Sequence, residues 1–351
     1  GNHNQKADRR RDVRAAGFAR TAAIQISFSG GIYSRPYEKE NINLKKDKKM
    51  SLPGKKMKIG GWNYHVSDQG SGDKVVMLVH GMPDDGSCWK YQVPALLNAG
   101  YRCIVPDTLG YGLTDRPREV EHYKVEKIIA HMFEIIEKLG LKDINLVGHD
   151  WGSAITWPML MQKPELFRKY CSLSVGHLGC VFGQAHDMTQ ERGTPERMLE
   201  SVKTNWFTYH HTQAGMEELY MTNDFRYFDL FFCSHPEKEA VKDAIKETGH
   251  IEWLNYDIAN PMVMDYLATA KDPNVYPNVK VPVMVIYPEQ DMFLWPTQAI
   301  DTPSRVDAEC RIEFIQGGHW SMLDHPDDVN VRMLDWFGSE SYDVRANVKE
   351  A

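Results

Sequence analysis

Ile144-Asn145-Leu146-Val147-Gly148-His149-Asp150-Trp151-Gly152-Ser153 is the stretch around which the rest of the chain is organised. A short apolar run leads into it, and an amphipathic run from Ala154 to Gln162 follows it. That is strand, sharp turn, helix. Gly148 and Gly152 stand two residues either side of Asp150, where strand and helix must approach closely around a tight turn. Taken alone, the stretch fits two readings. One is a strand-to-helix turn with Asp150 as a helix N-cap. The other is a G-x-nucleophile-x-G turn that presents an acid where serine is the commoner occupant.

The flanking sequence bears on that choice. Val75 to Val79 is a continuous apolar run rich in β-branched residues, which suits a parallel strand buried on both faces. It stops at His80-Gly81-Met82-Pro83. Tyr101 to Val105 is a second such strand, closed by Pro106-Asp107. Trp62 to Gln69 alternates and runs into Gly70-Ser71-Gly72-Asp73, which reads as a hairpin-like turn. Trp89 to Ala99 and His122 to Leu139 carry helical spacing, each with a glycine after it as the stop. Tyr170 to Val175, Val281 to Tyr287 and Arg311 to Ile315 read as further strands, and Val329 to Phe337 as a closing helix. Strands alternating with helices predict an α/β fold with a mostly parallel, doubly wound sheet.

Between His177 and about Pro277 strand-like runs nearly vanish and helical periodicity takes over. An insertion of that length is too long for a plain loop. We read residues 177–277 as a helical cap over the C-terminal edge of the strands, where open α/β sheets bind their ligands, with 50–176 and 278–351 forming the core.

A nucleophile needs a base, and the base needs an orienting acid. Pro288-Glu289-Gln290-Asp291 follows the Val281 strand, and Gln316-Gly317-Gly318-His319-Trp320 follows the Arg311 strand. Each candidate lies just past a strand's C-terminal end, in the chain order nucleophile, acid, histidine. Glu289 and Asp291 both remain candidates for the acid on these grounds. Ser153 lies off the apex of the turn and reads as structural. His210 and His211 are adjacent, so their side chains point apart, and no third ligand is spaced to make them a metal site.

Four segments together carry a family resemblance: His80 to Asp84 (H-G-M-P-D), Asp107 to Gly112 (D-T-L-G-Y-G), Gly148 to Gly152 (G-H-D-W-G) and Gly317 to Trp320 (G-G-H-W). They resemble the epoxide hydrolase branch of the α/β-hydrolases, with haloalkane dehalogenases close by. The resemblance runs from about Trp62 to Trp336, loosely in the middle. It implies the α/β-hydrolase fold with an inserted helical cap, Asp150 as nucleophile, Asp291 as the acid and His319 as the base. It also implies an oxyanion hole from the backbone N–H groups of Trp151 and Met82. The family's epoxide hydrolases donate a proton from two cap tyrosines. Tyr266, in Asp265-Tyr266-Leu267-Ala268, matches the second; the first position carries Phe207, with Tyr209 two residues on. His80, Pro83, Phe207, Tyr209 and Trp320 are expected to line the substrate pocket. The implied reaction opens a hydrophobic epoxide to a vicinal diol through an alkyl ester on Asp150. A dehalogenase-like hydrolase and a ligand-binding protein on the same fold are the alternatives.

The 351 residues are 42% hydrophobic and 25% charged, as expected of a globular protein with a sizeable core. A net charge of -7 offers no basic footprint for nucleic acid. No run of eighteen apolar residues occurs, so no membrane span is expected. The six cysteines show neither C-x-x-C nor zinc spacing and read as reduced, mostly buried thiols. No Gly-rich turn carries a dinucleotide or phosphate fingerprint, so neither cofactor nor metal is expected. The expected partner is a small hydrophobic substrate, met by a monomer or homodimer. Residues 1–49 are Arg-rich and acid-poor, either a transit-like extension or sequence upstream of Met50-Ser51. They are expected to lack order, and the site of action to be cytoplasmic, or organellar if the extension is a transit peptide.

Overall fold

A computed structural model describes residues 24–27, 51–182 and 194–338. Its centre is a sheet of nine strands among the described residues. In chain order they are β1 (Ile24–Ser27), β2 (Lys55–Ile59), β3 (Trp62–Gln69), β4 (Lys74–Val79), β5 (Tyr101–Pro106), β6 (Ile144–His149), β7 (Phe167–Leu173), β8 (Val283–Pro288) and β9 (Cys310–Ile315). Across the sheet the order is β1-β9-β8-β7-β6-β4-β5-β3-β2. β3 runs antiparallel to both of its neighbours, and the other pairings are parallel.

The sequence of the central strands explains their place. β6 and β8 are buried at every position, and β4 at every position after Lys74. A strand without a polar face needs helices on both sides of the sheet. Those helices include α1 (Gln92–Asn98), α2 (Val125–Lys138), α3 (Trp151–Gln162) and, after β9, α12 (Pro326–Gly338). α2 turns Ile128, Ile129, Met132, Ile135 and Ile136 inward. Each such side chain contributes about 1.5–3 kcal/mol on burial. α12 buries Val329, Met333, Trp336 and Phe337.

Register then sets the site. Val79 of β4 pairs with Gly148 of β6, Gly148 with Ser172 of β7, Leu173 with Ile286 of β8, and Ile286 with Glu313 of β9. The C-terminal ends of these strands are therefore level, and the loops leaving β4, β6, β8 and β9 emerge along one edge.

Between β7 and β8 the described residues hold helices and no strand: α4 (Leu178–Val181), α5 (Pro195–His211), α6 (Met216–Phe231, interrupted at Thr222–Phe225), α7 (Lys238–Thr248), α8 (Leu254–Ala259) and α9 (Met262–Lys271). α10 (Pro296–Ile300) follows β8 and α11 (Ser321–Asp324) follows β9. No helix among the described residues is long and apolar enough to cross a membrane.

Several expectations need correction. Gly70–Asp73 does not close a hairpin, because β3 pairs with β5 and β4 lies on the far side of β5. The alternation of β3 identified a strand but not its partner. Helices α1 and α2 begin at Gln92 and Val125 because the turns before them, Gly86–Trp89 and Val120–Tyr123, are 3₁₀. Within residues 1–49 the structure describes only Ile24–Ser27, which pair with Cys310–Glu313 at the sheet edge; the expected lack of order elsewhere in that stretch lies outside the described residues. All six cysteines are free, four of them buried, with Cys180 partly covered and Cys233 exposed.

Candidate active site

Asp150 closes β6 and opens α3 with φ 51° and ψ -122°. A non-glycine residue is held in such a region only when the surrounding structure enforces it. The two glycines make that possible. A Cβ on Gly152 would run into the Val79 carbonyl, and one on Gly148 into Thr156 and the Ser153 backbone. Asp150 is thus raised on a turn that other residues at its flanks would block. It does not cap α3 through its side chain, so the N-cap alternative is set aside.

Both carboxylate oxygens of Asp150 have a defined neighbour. The Met82 backbone N–H, from the loop after β4, donates to Oδ1 at 2.8 Å. His319 Nε2, from the loop after β9, stands 3.4 Å from Oδ2. Burial disfavours the Asp150 charge, but hydrogen bonding to His319, the charges of His319 and His149 and the Trp151 backbone N–H together hold its pKa below the ordinary value.

His319 Nδ1 lies 2.8 Å from Asp291 Oδ2. The other oxygen of Asp291 accepts the Phe293 and Leu294 backbone N–H groups at 2.8 and 3.1 Å. Glu289 is engaged elsewhere, accepting from Gln316 Nε2 at 2.7 Å. Geometry therefore favours Asp291 as the partner of His319. Burial opposes a charge on His319, yet Asp291 and Asp150 outweigh it and push the imidazole up to about 10. Next to Asp150, His149 is fully buried, and burial followed by the His319 charge pushes it down to about 4. Its Nε2–H donates to the His319 carbonyl at 2.9 Å, so it steadies the backbone that carries the imidazole. Ser153 Oγ pairs with Ser172 Oγ at 2.9 Å inside the core, a structural role.

A sheet whose elbow carries Asp150, with an acid after β8 and a histidine after β9, is the architecture that the family description "alpha/beta hydrolase fold" names, and that description matches residues 74–326. The chain belongs to the α/β-hydrolase fold family. Among curated proteins it is 24% identical over 310 residues to "Bifunctional epoxide hydrolase 2" of Sus scrofa, covering 80% of this chain and 54% of that protein. The chain thus spans about half the length of that relative. It is 26% identical over 288 residues to "Epoxide hydrolase 4" of Homo sapiens, covering 78% and 75% of the two chains. Among solved structures, Epoxide Hydrolase A from Mycobacterium thermoresistibile superposes with a TM-score of 0.69 at 19% identity, over 83% of this chain and all of the other. An epoxide hydrolase from Vigna radiata, VrEH1, gives 0.66 at 22% identity, over 82% and 98%.

In this α/β-hydrolase the Asp150 carboxylate and the Trp151 side chain face a cavity of about 280 Å³. Its walls are largely apolar, with Val175 and Leu178 beyond β7 and Phe182 and Leu294 nearby. The helical segment supplies Phe207 and Thr208 from α5, Asp257 from α8, and Met262 and Asp265 from α9.

Of the residues expected at the pocket, Phe207 lines it and the other four do not. His80 is buried beneath the loop, where its Nε2 accepts the Thr108 backbone N–H at 3.0 Å. Pro83 borders a separate small cleft with Tyr111 and Trp253. Trp320 is buried, its indole N–H donating to the Met82 carbonyl at 3.4 Å, so it braces the loop that carries the Met82 N–H. Tyr209 is 74% exposed, because a two-residue step from Phe207 turns it to the outer face of α5. Tyr266 packs edge-on against the wall residue Phe182, centroids 5.4 Å apart, and is not itself on the lining.

Sequence reasoning missed Asp257. The Trp151 indole N–H donates to Asp257 Oδ1 at 3.2 Å, and Asp257 Oδ2 lies 2.6 Å from His211 Nδ1. His211 Nε2 in turn lies 2.6 Å from the Tyr220 hydroxyl. Burial raises the Asp257 pKa despite the hydrogen bond from His211. A signal for His211 was present: it lies one helical turn after Phe207 and shares its face. His210 points elsewhere, to the Tyr227 hydroxyl at 2.5 Å. For Asp257 nothing in the local pattern marked the residue.

Proposed function

We propose that the chain is an epoxide hydrolase-like enzyme that opens a lipophilic epoxide to a vicinal diol through an alkyl ester on Asp150. The observation that carries this reading is the pair of contacts on Asp150, Met82 N–H on one oxygen and His319 on the other. A carboxylate, unlike a serine hydroxyl, is ionised at neutral pH and can attack alkyl carbon without a base. Oδ2 attacks a ring carbon, the carbon–oxygen bond breaks, and its electron pair passes to the ring oxygen, which takes a proton. Water then attacks the ester carbonyl, with His319 accepting the water's proton. The oxyanion forms on Oδ1, which the Met82 N–H holds, with the Trp151 N–H as the second donor of the expected oxyanion hole. Collapse breaks the bond from the Asp150 carboxyl carbon to the substrate oxygen, which takes the proton held by His319, so the carboxylate is restored and the diol released.

The electrostatics suit that sequence of steps. Asp150 and Asp291 hold a proton on His319 in the resting site. Esterification removes the Asp150 charge, which lowers the histidine's proton affinity, so the resting proton passes to solvent and neutral imidazole is left to act as the base. For the proton to the ring oxygen this reading uses Tyr266. It lies one helical turn after Met262, which lines the cavity, and its ring rests on Phe182.

The dehalogenase alternative fits less well. Halide release requires N–H donors at the cavity, and the Trp151 indole already donates to Asp257. The Met82 side chain has no N–H to offer. The complete set of Asp150, Asp291 and His319 contacts counts against a purely ligand-binding protein. The test is product analysis with aromatic and aliphatic epoxides in ¹⁸O-water. In a single turnover the label is expected in the Asp150 carboxylate and the unlabelled oxygen in the diol. Label entering the diol directly would reject the covalent route.

A further inference from the structure

Asp257 has no counterpart in the mechanism above, yet it is built into the cavity with care. It is 2% exposed, it lines the cavity beside Asp150, and both its oxygens are engaged. One accepts the Trp151 indole N–H at 3.2 Å; the other faces His211 at 2.6 Å, with Tyr220 2.6 Å behind. His211 and Tyr220 are fully buried, so this chain of groups is fixed from the protein side. Three helices supply it: α8 gives Asp257, α5 His211 and α6 Tyr220.

Two physical consequences follow for any group that leaves carbon while Asp150 attacks. The indole N–H next to the nucleophile is already satisfied, so an anion departing there would have to displace a carboxylate from it. A second carboxylate in the cavity also opposes a free anion through space, weakly screened in a buried setting. An epoxide oxygen avoids both difficulties, because it stays bonded to the substrate and leaves as a neutral hydroxyl once protonated.

We propose that Asp257, held by His211 and Tyr220, is the leaving-group filter of this site: it ties up Trp151 and bars substrates that expel a free anion. This rests on the epoxide reading for its substrate, but the filter is measured separately. Bromide titrations followed by tryptophan fluorescence compare wild type with Asp257→Asn and Asp257→Leu. Asparagine removes the charge and keeps an acceptor for the indole; leucine removes both. Bromide affinity is expected to rise about tenfold or more in Asp257→Leu, with Asp257→Asn between. With 1-bromohexane and a matched terminal epoxide, the ratio of bromide release to diol formation is expected to rise in the same order. Should Asp257→Leu fail to fold, the asparagine variant alone carries the charge part of the test. Equal bromide affinity in wild type and a folded variant would overturn the proposal, as would halide release by wild type at a rate matching diol formation. Absence of diol from wild type would sink the epoxide reading, while the bromide titration still decides the role of Asp257.

Discussion

Met82 donates its backbone N–H to Asp150 Oδ1 at 2.8 Å, although the two residues belong to loops on different strands. β4 and β6 are adjacent and parallel, and Val79 pairs with Gly148, so the first turns beyond each strand must meet. The oxygen that would bear charge during ester hydrolysis is positioned by sheet register.

On the proposed route, Asp150 and His319 variants fail at different stages. Asp150→Asn removes the attacking carboxylate, so no adduct is expected. His319→Ala leaves attack possible and strands the ester, so intact-protein mass spectrometry should show a substrate-sized increment. Overall turnover in the histidine variant is expected to fall by about two to four orders of magnitude. Consumption of substrate by wild type with no adduct in His319→Ala would contradict the two-step route.

Stability should report the same imidazole. His319 is held at about 10 against an ordinary 6.5, so the folded state binds its proton more tightly than the unfolded chain. For a raised pKa the stabilisation is fully present below the unfolded value and is lost as pH climbs through the folded one. The melting temperature is therefore expected to decline between about pH 6.5 and 10. Asp291→Asn, which removes the larger of the two stabilising charges, should flatten that decline. An equal slope in the variant would mean that other groups dominate this window.

The elbow makes a simpler prediction. A Cβ at position 152 meets the Val79 carbonyl, which belongs to a buried strand and cannot give way cheaply. Gly152→Ala is expected to cost about 1–3 kcal/mol, the usual range for overpacking. Chemical denaturation with an unchanged m-value would measure it.

How much of this was legible in the sequence differed by element. Buried parallel strands announce themselves as uninterrupted apolar runs, so β4, β6 and β8 and the residues just past them could be placed with little error. Asp150 followed as the residue directly after β6, and Asp291 and His319 as the polar candidates in the loops just past β8 and β9. Partners of β3 were illegible, because alternation describes one strand's faces and says nothing of its neighbour. The pocket was illegible for a related reason. Its lining is set by how separate helices cross, and local spacing could not bring Asp257 of α8 to Trp151 of α3. His80 and Trp320 were misassigned because motif residues that brace a loop look the same in sequence as those that touch substrate.

Tyr266 carries the remaining prediction. It lies one helical turn after Met262, which lines the cavity, and its ring meets Phe182 of the cavity wall. A donor to the ring oxygen acts only while negative charge builds there, so its loss should appear in alkylation and leave ester hydrolysis nearly unchanged. Tyr266→Phe keeps the ring and its packing on Phe182 while removing the hydroxyl, which isolates the proton from the contact. The alkylation rate, read as the pre-steady-state build-up of the Asp150 ester, is expected to fall about a hundredfold, the usual effect of removing one such donor. Tyr209→Phe should leave that rate within about twofold, because a side chain that is 74% exposed on the outer face of α5 does not reach the cavity. Wild-type alkylation in Tyr266→Phe would remove this tyrosine from the reaction, and the proton would have to come from another group on the cavity wall.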